Sequence, residues 1–234
     1  MTSAVVLGAR NLGGAIATHL HAEGWSVAAV ARSDESLAAV RERGIGAVNA
    51  DASDPVALRQ ALERDGGLDL VVNAVSAARP DGGPWGGGPL ADAQPAAFEA
   101  WTGAVSRQAF TFLSVGASVL RAQGRGGTLI QVTGGSARRA MPGRGLWAAG
   151  AAGTRALVQA AAQELRADGI HVALLIVDAT IASPKTAERT RDVPAGALAD
   201  QEEIARAVAY LAGQQPSGFT HELVVTPAGE RWVP

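Results

Sequence analysis

Ala4–Trp25 reads AVVLGARNLGGAIATHLHAEGW: a short apolar run, a glycine-bearing turn, then a segment with the periodicity of an amphipathic helix. A strand running straight into such a turn leaves backbone N–H groups and the positive end of the helix dipole facing outward, where they favour a pyrophosphate. Further apolar or β-branched runs follow at SVAAV (Ser26–Val30), LDLVVNA (Leu68–Ala74), TLIQV (Thr128–Val132), HVALLIV (His171–Val177) and ELVV (Glu222–Val225). Segments of helical spacing, rich in Ala, Leu, Glu and Arg, separate them. The runs are too uniformly apolar for a sheet wetted on one face. They argue an α/β fold: a Rossmann-type, doubly wound parallel sheet in three α/β/α layers. Ligands of such folds gather beyond the carboxyl ends of the strands, so the loops after strands carry the functional reading.

With 234 residues, 47% of them hydrophobic, the chain fits a single domain over 1–234. A net charge of −2 without any Lys/Arg block excludes a nucleic-acid track or an anionic-membrane patch and leaves a small molecule as the expected partner. The absence of cysteine rules out disulfides and thiol chemistry, and His19, His21, His171 and His221 lack metal-ligand spacing, so no metal is expected. The start MTSAVVLGAR has no basic, apolar leader pattern and no run of about 18 apolar residues follows, so a cytoplasmic protein is expected. Two long connections, 77–91 and 179–200, are candidate lids over a ligand; the first, rich in Gly and Pro, reads equally well as a surface insertion.

The first turn resembles the T-G-x-x-x-G-x-G turn of the short-chain dehydrogenase/reductase family. Gly8 matches its first glycine and Gly13, followed by GAIATHL, its last; Arg10, Asn11 and Leu12 lie between. The turn is one residue short, and Asn11, a residue that tolerates the left-handed conformation, falls nearest the middle glycine. At the end of the second strand, where an NAD-selecting enzyme carries Asp or Glu, the chain has Ala31, Arg32 and Ser33. Arg32, helped by Arg10, matches a 2′-phosphate, so the expected cofactor is NADP(H). The resemblance further implies that Asp51 and Ala52 of NADASD meet the adenine and that Asn73 and Ala74 of LVVNAV stand in the family's L-V-N-N-A-G segment. It also brings Thr133 to the cofactor, and Ile181 and Ser183 of VDATIASP to the nicotinamide amide and phosphates. It covers essentially the whole chain.

Family members reduce carbonyls with an Asn, a Ser, a Tyr and a Lys four residues after the Tyr. Aligning that pattern on GLWAAGAAG puts Trp147 at the Tyr slot and Ala151 at the Lys slot; thirteen residues upstream Gly134 takes the Ser slot, and FEAWTGAVSRQAF puts Val105 at the Asn slot. All four functional groups are missing. Acid–base assistance is worth about 10²–10⁴ in rate, whereas orientation contributes about 7–11 kcal/mol, so their loss does not by itself abolish hydride transfer. Thr133 and Ser136 are candidate donors to a substrate carbonyl; Trp147 offers either a ring to stack on a flat ligand or simple packing. The chain therefore resembles in kind the triad-less ketoreductases that tailor aromatic polyketides, such as the angucyclinone part of simocyclinone-type antibiotics. That implies an NADPH-dependent reduction of a planar polycyclic ketone with protonation assisted by the substrate. A non-redox cyclase or isomerase, or an inactive NADPH-binding protein on the same scaffold, is the alternative. The helices around FTFLSVGASVL and GTRALVQAAAQEL resemble the family's oligomer-forming pair, implying a homodimer or homotetramer.

Overall fold

The computed structural model describes residues 2–63, 67–76, 80, 82–184 and 186–230. Seven parallel strands form one sheet: β1 (Ser3–Leu7), β2 (Ser26–Ala31), β3 (Gly46–Asn49), β4 (Leu70–Asn73), β5 (Gly127–Gly134), β6 (Ile170–Val177) and β9 (Glu222–Val225), in the order β3-β2-β1-β4-β5-β6-β9. Two-residue strands β7 (Thr180–Ile181) and β8 (Leu198–Ala199) pair separately, within the 179–200 connection. The helices are α1 (Asn11–Ala22), α2 (Asp34–Arg41), α3 (Pro55–Leu62), α4 (Pro95–Phe98), α5 (Ala104–Gln123), α6 (Gly145–Glu164) and α7 (Gln201–Ala212).

Side chains alternate across a strand, and here both faces are covered. Val5 and Leu7 of β1 join the core layer containing Phe112, Leu120 and Leu129, while Ala4 and Val6 join the layer containing Ile16, Leu20, Leu37 and Ile204. All eight residues of β6 are buried, which is why that run carries no polar alternation. The three-layer, doubly wound architecture expected from the sequence is therefore the one observed. The strand without an apolar run of its own is β3, an edge strand of sequence GAVN that pairs only with β2 and stays half-buried.

Helix starts follow local chemistry. The Asp54 carboxylate accepts from the Val56 and Ala57 amides just before Pro55, Asp200 accepts from Glu202 and Glu203, and the Ser33 hydroxyl accepts from Ser36. Helix α4 runs through a π-helical turn, Glu99–Gly103, into α5. Among the described residues, no helix is long and apolar enough to cross a membrane.

Candidate functional site

The strand order reverses at β1, whose neighbours are β2 and β4, so the crevice beyond these three strands is where the topology opens a ligand site. Gly8 turns out of β1 with φ 104, and its amide donates to the Val30 carbonyl at 2.8 Å. A Cβ on Gly13 would lie 2.3 Å from the Gly8 carbonyl oxygen, so only glycine lets α1 seat this closely on the turn. Asn11 adopts φ 48 and is the one non-glycine with positive φ among the described residues, as its place near the middle glycine anticipated. Arg10 occupies the N-cap position without a side-chain cap bond, and the first turn of α1 holds no acidic residue. The first amides of this helix thus face the crevice with the dipole uncompensated.

A cleft of about 1070 Å³ opens there. Three guanidinium-bearing residues line it: Arg10 from the β1 turn, Arg32 from the end of β2 and Arg107 from α5. Asp51 faces Arg32 at 3.9 Å. Its carboxyl is held below the usual range mainly by the Ser53 hydroxyl, against the opposing effect of burial, with the Ser53 amide and the Arg32 charge adding to it. Gly8, Asn11, Ser33, Ala52 and Ala74 line the same cleft. Leu12 and Gly13 are buried beneath it. The buried Asn73 side chain faces a neighbour instead: it exchanges two hydrogen bonds with Gln108, at 3.0 and 3.2 Å, and donates to Gln131 at 2.8 Å.

Farther along the strand ends, β5 delivers Thr133 and Gly134, and a short 3-10 turn, Gly135–Ala137, carries Ser136 against α6. The hydroxyls of Thr133 and Ser136 make no hydrogen bond among the described residues. Space beside Gly134 is open, with only the Val177 carbonyl 4.0 Å from a built Cβ, whereas beside Gly135 the Asp178 carboxylate would lie 1.8 Å away. That carboxylate, on a residue 4% exposed, is gripped by Arg139 at 3.0 and 3.3 Å. Trp147 of α6 meets Trp85 and Trp101 at centroid separations of 5.5 and 5.8 Å, and the latter two lie 5.9 Å apart. Trp85 belongs to the 77–91 connection; Gly86, Gly87 and Gly88 follow it with positive φ, the first two pressed on Arg144 and Leu146. This part of the connection is packed against α6, while 77–79 and 81 lie outside the described residues. Ala151 is 1% exposed in the core, and Val105 faces Gly150 across the α5–α6 contact. Ile181 lies in β7, and the Ser183 hydroxyl is engaged with Thr186 at 3.0 Å.

A family model described as enoyl-(acyl carrier protein) reductase matches residues 6–229. The chain belongs to the short-chain dehydrogenase/reductase family. Among solved members, a metagenomic short-chain oxidoreductase in complex with NADP is 28% identical, with a TM-score of 0.73 over 97% of each chain. A protein from Agrobacterium tumefaciens, provisionally assigned as a 2-deoxy-d-gluconate 3-dehydrogenase and bound to NADP, is 25% identical, with a TM-score of 0.76 over 96% of this chain and 94% of its own. The alcohol dehydrogenase of Thermococcus sibiricus, complexed with 5-hydroxy-NADP, shares the fold at 24% identity, with a TM-score of 0.77 over the full length of both. No curated protein matches.

Within this short-chain dehydrogenase/reductase fold, the structure gathers eight expected residues around one cleft: Gly8, Arg10, Asn11, Arg32, Ser33, Asp51, Ala52 and Ala74. Thr133 and Ser136 sit at the end of β5 and in the turn after it, and Trp147 in the first turn of α6, all outside that cleft's lining. Sequence reading missed Arg107 and Gln108. The signal was present: Ala104, Arg107, Gln108 and Thr111 fall at i, i+3, i+4 and i+7 on α5, and all four line the cleft. It also missed Asp178 and Arg139, whose pairing joins two distant segments.

Proposed function

We propose that this chain is an NADPH-dependent ketoreductase of atypical kind. The observation that carries the cofactor assignment is that Arg10, from the β1 turn, and Arg32, at the end of β2 where the chain has no Asp or Glu, line the same cleft. A 2′-phosphate carries a charge of about −1.5 to −2 at neutral pH, which matches two forked cations better than it matches ribose-binding acids. The residues fit a dinucleotide: α1 presents uncapped amides, and Gly8, Asn11 and Gly13 keep the turn low. The two relatives at 25% and 28% identity, both with NADP bound, support the same choice.

When bound, the nicotinamide supplies a hydride to a carbonyl carbon. The chain's part is to hold and orient. With Trp147 at the tyrosine slot, Ala151 at the lysine slot, Gly134 at the serine slot and Val105 at the asparagine slot, no side chain there carries an acidic proton. The uncommitted hydroxyls of Thr133 and Ser136 donate hydrogen bonds to the carbonyl oxygen, and a hydroxyl of the substrate next to that carbonyl, or water, gives up the proton. The indoles of Trp85 and Trp147, backed by the buried Trp101, supply an aromatic face suited to a planar polycyclic ketone of the aromatic polyketide class. The described parts of the connections 77–91 and 179–200 serve as lids in this reading. Phe110, 57% exposed on α5, supports a homo-oligomer built on α5 and α6.

Titration of the protein with NADPH and NADH, followed by incubation with polycyclic hydroxy-ketones and NADPH deuterated at C4, tests this reading. Tighter binding of NADPH and deuterium in the alcohol are expected; equal or tighter binding of NADH overturns the cofactor assignment. One observation favours a second reading, a non-redox cyclase or isomerase or a cofactor-binding protein: Trp85 packs on Trp147, at the position where a proton donor would act. Tight NADPH binding with no deuterium in any product would decide for it.

A further inference from the structure

Arg107 is a cation that neither the sequence pattern nor the cofactor reading uses. It is exposed on α5, lines the cleft, and forms no ion pair with any described residue, including Glu99 of the same wall. Its backbone is well anchored. The next residue, Gln108, exchanges two hydrogen bonds with Asn73 at the end of β4, which ties this part of α5 to the sheet edge. Strand order then locates Arg107 relative to the other two cations. Arg32 stands on the β2 flank of the β1 turn, and β4, with Gln108 against its last residue, stands on the opposite flank. An anion lying over the β1 turn is therefore approached by Arg107 from the side that Arg32 does not reach.

We propose that Arg107 is a third anion-binding residue of this cleft, and that it grips the pyrophosphate of a dinucleotide rather than its 2′-phosphate. The cleft lining carries three cations, Arg10, Arg32 and Arg107, against two carboxylates, Asp51 and Glu99, so one positive charge is in excess. The glycine turn is one residue shorter than its family pattern, and a forked donor across the cleft adds hold on the phosphates beyond what the turn's amides supply.

This assignment rests on the dinucleotide reading above, so the test separates the two. The full chain and its R107A, R107K and R32A variants are titrated calorimetrically with inorganic pyrophosphate, NADH and NADPH, and thermal melts confirm that each variant is folded. Removal of the Arg107 fork is expected to weaken all three ligands by a similar factor, about tenfold. R107K should fall between, and R32A should weaken NADPH alone. Unchanged pyrophosphate and NADH binding by R107A overturns the proposal, as does a loss confined to NADPH. A wild type that binds pyrophosphate but neither dinucleotide defeats the oxidoreductase reading and leaves Arg107 judged on pyrophosphate alone. A wild type that binds none of the three defeats both.

Discussion

Gly134 and Gly135 are consecutive, yet replacing them by alanine should have opposite consequences. At Gly134 the backbone is extended, with φ −99 and ψ 172, and the nearest atom to a new Cβ is the Val177 carbonyl oxygen at 4.0 Å. G134A therefore costs less than about 0.5 kcal/mol. At Gly135 the new methyl would lie 1.8 Å from Asp178 Oδ1 and 2.3 Å from its Cγ, so the carboxylate has to swing away. It cannot do so without breaking the two bonds to Arg139, at 3.0 and 3.3 Å, and leaving a buried charge without its partner. Losing one member of a fully buried pair costs about 3–5 kcal/mol. The Arg139 side chain here is 27% exposed, and solvent screening reduces the expected loss to about 2 kcal/mol. For a chain of this size that is a fall in Tm of about 4–8 °C.

Urea unfolding of wild type, G134A, G135A, D178A and the D178A/G135A double variant measures it. Truncating Asp178 removes the obstacle, so the double variant should be more stable than the sum of the two single losses predicts. A G135A variant as stable as G134A, or strict additivity in the cycle, would refute the argument that Asp178 owns the space beside Gly135.

His171 is 1% exposed, stacks on Phe219 at 4.2 Å, sits 2.9 Å from the Thr220 carbonyl through Nε2, and has no partner for Nδ1 among the described residues. Burial, first among the causes, pushes its pKa below the usual histidine value. The unfolded chain takes up a proton near pH 6.5 that the folded chain refuses, so stability falls as pH drops below about 6.5, by at most about 1.4 kcal/mol per pH unit for one proton. Denaturant midpoints at pH 7.5, 6.5 and 5.5 should show that slope reduced in H171Q, and an unchanged slope would exclude His171 as its source. In the β1 turn, G13A should abolish dinucleotide binding because its methyl meets the Gly8 carbonyl at 2.3 Å. N11G should preserve binding, and N11V should cost about 1–2 kcal/mol at φ 48; equal behaviour of N11G and N11V in melts and titrations would sink the left-handed argument.

The fold was readable because its signals are local. HVALLIV is apolar on both faces, and both faces are buried; Gly8 and Gly13 bracket a turn whose geometry depends on residues five positions apart. The glycine-poor substitute at Asn11 was also readable, since the left-handed conformation is a property of the residue itself. The edge strand GAVN was not, because a four-residue half-buried strand leaves no periodicity to count. Asp178 and Arg139 escaped for a different reason: they stand 39 residues apart, and their meeting depends on β5 and β6 lying side by side. Arg107 was hidden in plain view on a helix stripe whose exposed end could be assigned to the cleft only once the sheet order was known.

The substrate end reads as a set of matched changes rather than isolated ones. Trp147 requires neighbours of its own size, and it has them in Trp101, carried inward by a π-helical turn, and in Trp85, brought in by a connection that reverses through three positive-φ glycines. Gly86 and Gly87 admit the close approach to Arg144 and Leu146, so the loop's composition and the tryptophan at 147 answer the same packing demand. Gly150 lets the α6 backbone approach Trp101 and Thr102, where a Cβ would lie within about 3 Å of their carbonyls, and Ala151 beside it belongs to the core. On the reading proposed above, a tyrosine at 147 and a lysine at 151 would therefore enter an aromatic cluster and a packed core, not a polar relay. Under that proposal, the chemistry of this end depends on what the exposed faces of Trp85 and Trp147 can hold flat, and on the hydroxyls of Thr133 and Ser136.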